Sequence, residues 1–169
     1  MGAVKTIHLI RHAKSSWEDP FLADIDRPLN ERGIRTSRFM AQHIHEAGCS
    51  FENIFCSPAK RAQSTISLIS ESLPLMDIEW QTDQALYTFY DADLINWLET
   101  LDDAFSDIVL VGHNPAFTQV CNRLSDTFIK NIPTCGYVRL KARAPLTWQE
   151  ITQGSFELAV FLRPKKLIP

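Results

Sequence analysis

No stretch of about 18 apolar residues occurs in this 169-residue chain, so the sequence offers no membrane-spanning helix. It also lacks the basic excess of nucleic-acid binders. Its 17 Lys and Arg stand against 20 Asp and Glu, a net charge of −3, so any anion site has to be local. Cys49, Cys56, Cys121 and Cys135 form no C-x-x-C pair and have no His at zinc-finger spacing, and they read as free, buried thiols. Met1 to Ile10 is too short and polar for a signal peptide, which makes a cytoplasmic protein the expectation. Repeats, low-complexity tracts and linkers are missing as well, and residues 1–169 are read as one domain.

What is present is an ordinary globular composition, 45% apolar and 22% charged. Thr6 to Ile10, Asn53 to Ser57 and Asp107 to His113 are apolar, β-prone runs of the kind found in strands covered on both faces. Helical patterns fall between them: Asn30 to Ala47 closed by Gly48, Pro58 to about Leu73, and Asp91 to about Leu101 with Leu94, Ile95, Leu98 and Leu101 on one stripe. A further helix is expected from Pro115 to about Leu124. Then "CGYVRLKA", "LTWQEI" and "SFELAVFL" read as three short antiparallel or edge strands. The alternation predicts an α/β class, three layers α/β/α around a mostly parallel sheet with helices on both faces.

Ligands of open α/β sheets bind beyond the carboxyl ends of the strands, which singles out Arg11 and His12, then Ser57, then His113. Ser57 with Pro58 and Asn114 with Pro115 look like paired helix starts, so two helix N-termini are expected to point at one place. Such termini hold phosphate, and Arg61 lies about one turn inside the first of these helices. An arginine next to a histidine is unfavourable unless a dianion sits between them. The same cations disfavour imidazolium and keep one His neutral, the state in which histidine serves as a covalent nucleophile.

Five segments, "LIRHAKSSW" at 9–17, "DIDRPLNERG" at 24–33, "SPAKRAQST" at 57–65, "VLVGHNP" at 109–115 and "FLRPKKL" at 161–167, occur in an order that resembles the histidine phosphatase superfamily. This superfamily is also called phosphoglycerate mutase-like, and within it the sequence resembles the short phosphohistidine phosphatases of the SixA type. The resemblance implies that His12 is the phosphorylated nucleophile, that Arg11 and Arg61 clamp the phosphoryl oxygens, and that His113 completes the pocket. It further implies that neither metal nor cofactor is needed. Lys14 and Arg27, on loops after matched motifs, and Ser57, whose alternative role is to cap its helix, are additional candidates for substrate contact.

The larger relatives carry a carboxylic acid shortly after the third strand, and Thr88 falls near that place here. Asp83, Asp91 or a carboxylate of the Asp19 to Asp26 loop are the alternatives for a proton donor, and the sequence does not select among them. An imidazole leaving group needs a proton less than an alkoxide does, which favours a phosphohistidine on another protein as substrate. A small phosphate ester or sugar phosphate, and a phosphate-binding module without catalysis, are the competing readings. His8 is expected to be a satisfied core residue, His43 and His45 do not face one another, and Arg32, Arg35 and Arg38 form a solvated face. Trp80, Trp97 and Trp148 are read as packing residues, whereas Trp17 follows the His12 motif closely enough to line an entrance.

Overall fold

Alternation along the apolar runs divides the core into two layers. In β1 (Thr6–Arg11) Ile7 and Leu9 face one side and Ile10 the other. In β4 (Asp107–Gly112) Ile108 and Leu110 are likewise opposed to Val109 and Val111. Both strands are buried on both faces and must be covered twice. Helices α1 (Glu31–Glu46) and α2 (Lys60–Ser72) cover one face with Met40, Ile44, Ala62 and Ile66. Helices α3 (Asp91–Glu99) and α4 (Ala116–Leu124) cover the other with Leu94, Leu98, Phe117 and Val120. The computed structural model describes residues 4–169, and this three-layer α/β/α arrangement is the one expected from the sequence.

The remaining strands are β2 (Ile54–Cys56), β3 (Trp80–Thr82), β5 (Tyr137–Ala142) and β6 (Phe156–Leu162), and a short helix α5 (Pro164–Leu167) follows them. The sheet order is β3-β2-β4-β1-β5-β6, with the first four strands parallel. The last two are antiparallel additions, as expected. Strand β3 is missing from the sequence reading. It is three residues long, and its exposed Gln81 and Thr82 give no apolar signal.

"LTWQEI" is not a strand but carries a 3-10 turn, Trp148–Glu150. Its alternating pattern is overridden by a reciprocal cap, in which the Glu150 carboxylate accepts from the Thr147 N–H at 2.8 Å. Asp103 accepts from the Trp148 N–H at 2.8 Å, and the buried indole donates to the Phe105 carbonyl. Helix α2 also starts later than expected, at Lys60, so Ser57 is not its cap.

Register brings the strand ends together. Arg11 pairs with Gly112, and Cys56 with Val111. The His12 N–H donates to the Gly112 carbonyl and the Ser57 N–H to that of Val111. His12, Ser57 and His113 therefore emerge side by side at the carboxyl ends of the parallel strands.

Candidate active site

Backbone bonds from both neighbours fix His12: Gly112 on the β4 side, and on the other side Cys135, whose N–H reaches the Arg11 and His12 carbonyls. One residue on, the Ala13 N–H donates to Thr65 Oγ1 at 2.9 Å, and Thr65 donates in turn to the Arg61 carbonyl at 2.7 Å. This single hydroxyl ties the end of β1 to the turn of α2 that carries Arg61. Thr65 was legible in principle, because it lies four residues after Arg61 on the same helix face.

The buried His12 ring places Nδ1 at 2.7 Å from the Ala13 carbonyl. A carbonyl only accepts, so Nδ1 carries the proton and Nε2 presents its lone pair. Arg61 Nε lies 3.4 Å from that nitrogen. His113 shows the opposite tautomer: Arg61 Nη2 faces its Nδ1 at 3.4 Å, and its Nε2–H donates to Ser57 Oγ at 2.7 Å. The two rings are 5.2 Å apart between centroids. Burial, with the charges of Arg61, Arg11 and Arg27, lowers His12 to about 3 against the single raising bond to Ala13. Burial, His12 and Arg61 lower His113 to about 3, opposed by Asp24. Both imidazoles are neutral at pH 7.

The guanidinium of Arg61 is 2% exposed and is held by Asp24, which accepts at its carbonyl from Nη1 (2.6 Å) and at Oδ2 from Nη2 (2.9 Å). Asp24 Oδ2 also accepts from the Tyr87 hydroxyl at 2.6 Å, and Oδ1 from Arg27 Nε at 3.2 Å. Tyr87 and Phe89 pack against the His113 ring at 5.4 and 5.3 Å. Arg11 donates to the Ile132 carbonyl at 2.8 Å while its buried Nε has no partner among the described residues. Arg11 also borders an open cavity of about 520 Å³ lined by Asn114, Phe128 and Lys130.

The sequence-derived residues divide accordingly. His12, Arg61, His113 and Ser57 are linked by direct contacts, Arg27 joins them through Asp24 while its guanidinium stacks 3.6 Å over Trp17, and Arg11 acts on both imidazoles through its charge without a contact to either. Lys14 does not join them: its side chain is exposed and forms no hydrogen bond or ion pair among the described residues, and only its carbonyl is engaged, by Asn30. Helix α4 uses its first N–H groups internally, Phe117 on the His113 carbonyl and Thr118 on Asn114 Oδ1. Its start thus caps itself instead of opening toward the site.

Of the possible acids, Thr88 turns away and donates to Asp93 at 2.6 Å. Asp83 holds Ala85 and the Trp97 indole, and Asp91 faces Arg123 at the surface. Asp24 is the carboxylate that reaches the site, and it is ionised. Burial opposes its charge, but the bonds from Tyr87 and Arg61, the Arg61 charge and the bond from Arg27 hold it down to about 2. His8 is a satisfied core residue between Tyr137 and Asp107.

Residues 7–88 match the family model of the histidine phosphatase superfamily (branch 1). An uncharacterised protein of Mycobacterium leprae is 27% identical over 168 residues, covering 92% of this chain and all of that one. Among solved structures, the protein histidine phosphatase SixA complexed with tungstate superposes with a TM-score of 0.78 at 17% identity, over 96% of this chain and 99% of that one. A phosphoglycerate mutase from Bacillus anthracis superposes at 0.64 and 13% identity, over 93% and 92%.

Proposed function

From the match of residues 7–88 to the histidine phosphatase superfamily model, we propose that the chain is a phosphatase of that superfamily whose His12 takes a phosphoryl group from a phosphohistidine on another protein and passes it to water. The observation that carries this reading is the His12 tautomer: an Nε2 lone pair aimed at Arg61, with the Nδ1 proton kept by Ala13. In the first step the substrate P–N bond breaks as a bond from Nε2 to phosphorus forms in line. A substrate imidazole protonated on its other nitrogen leaves as a neutral ring and needs no proton from the enzyme. In the second step water attacks phosphorus, and His12, still protonated on Nδ1, leaves neutral and resets the cycle.

Arg11 and Arg61 are the guanidinium groups for the phosphoryl oxygens, and they stabilise charge that spreads over those oxygens as the transfer proceeds. His113, its Nε2–H held by Ser57, stands across the pocket with its Nδ1 lone pair toward Arg61, and it donates to a phosphoryl oxygen once Nδ1 takes up a proton. The ionised state of Asp24 and the outward turn of Thr88 leave the site without a carboxylic acid donor, which favours a phosphoramidate over an alkyl ester. The resemblance in fold to SixA supports the protein substrate.

The test is rapid-quench labelling with a histidine-phosphorylated protein carrying radioactive phosphate. The expected result is an acid-labile phosphate on His12 that is absent in His12→Ala. Turnover without that label would overturn the mechanism, and turnover of alkyl phosphates in preference to phosphohistidine would overturn the substrate.

A further inference from the structure

Arg61 has two working edges. Its Nε and one Nη2 hydrogen face the lone pairs of His12 Nε2 and His113 Nδ1, both at 3.4 Å. Its remaining contacts run to Asp24, through the backbone carbonyl at Nη1 and the carboxylate at Nη2. A long side chain with several rotatable bonds keeps one orientation only when such partners hold it, and a charge-assisted fork is the strongest available. The same carboxylate accepts from Tyr87, whose ring packs edge-on against His113, and from Arg27. One side chain from the 19–26 loop thus fixes the arginine, one wall of the second histidine and the neighbouring cation.

We infer that Asp24 is the positioning residue of the phosphoryl site, presetting Arg61 from behind so that its inner N–H groups await the phosphoryl oxygens. The inference rests on the phosphatase reading for its catalytic consequence, but not for its effect on anion binding. It excludes two other roles for this carboxylate. A proton donor would have to be protonated at working pH, and a plug competing with phosphate would have to bond the inner N–H groups, which instead face the imidazoles.

The test uses Asp24→Asn, with Asp24→Ser as a second variant. Calorimetric affinity for vanadate is measured together with kcat and KM on p-nitrophenyl phosphate. The expected result is a loss of about tenfold or more in kcat and in vanadate affinity, a smaller change in KM, and a melting temperature within a few degrees of the parent. In an Arg61→Lys background, where the fork is already lost, Asp24→Asn adds no more than about a twofold effect. The inference is overturned by unchanged affinity and kcat, by additive losses, by tighter vanadate binding, or by a loss that grows with leaving-group basicity. A parent protein that binds vanadate but turns over no phosphorylated substrate would instead defeat the phosphatase reading, while the vanadate comparison would still decide the role of Asp24.

Discussion

His12 and His113, each lowered to about 3 against the ordinary 6.5, are neutral in the folded protein at a pH where they are protonated in the unfolded chain. The stability they contribute is fully present above about pH 6.5 and is lost as the pH falls toward 3, by at most about 1.4 kcal/mol per pH unit for each ring. Asp24 acts lower, its contribution being complete above 3.8 and lost toward 2. Urea denaturation at pH 7 and pH 4.5 should therefore show a marked loss that His113→Gln reduces. Ser57→Ala removes the acceptor of a buried imidazole N–H and is expected to cost about 1–3 kcal/mol and to lower kcat, read by denaturation and steady-state kinetics. Arg11→Lys, which loses the planar fork, is expected to cost about a hundredfold in kcat with the fold intact by circular dichroism. Arg11, His12 and His113 stood out in the sequence because each closes a strand, and Arg61 because it lies on the helix that follows the next strand end. Asp24 was not separable from Asp19 or Asp26, since its role arises from a contact with Arg61, 37 residues away.

Helix α1 approaches the loop after β1 so closely that a Cβ on Gly33 would clash with the Lys14 carbonyl oxygen. That oxygen belongs to backbone and also accepts from Asn30, so it cannot swing aside. Gly33→Ala is expected to cost about 1–3 kcal/mol and to lower activity as well, because the displaced segment begins two residues after His12; urea titration paired with kinetics checks both. The main helices and buried strands were legible from periodicity and from continuous apolar runs. The edge strand β3 and the 3-10 turn at Trp148 were not, because side-chain caps and long-range pairing decide them, and neither has an apolar period of its own.

Across the whole molecule, three separated segments bring the charges of Arg11, Arg27 and Arg61 to bear on His12, at the carboxyl ends of the parallel strands, in a chain of net charge −3. That the ends of β1, β2 and β4 lie together was expected, because parallel strands end together, whereas Arg27 and the exposed Trp17 and Phe21 on the neighbouring loop are placed by tertiary structure. Among the described residues no helix is long and apolar enough to cross a membrane. Meanwhile Cys49, Cys56, Cys121 and Cys135 are all enclosed, and burial pushes each thiol up to about 12, so none presents a reactive thiolate. The phosphoryl chemistry proposed for His12, built on ring nitrogen, leaves hydrogen peroxide and iodoacetamide no sulfur anion to attack. Turnover should persist through oxidant and alkylator treatments that silence catalysts dependent on an activated sulfur.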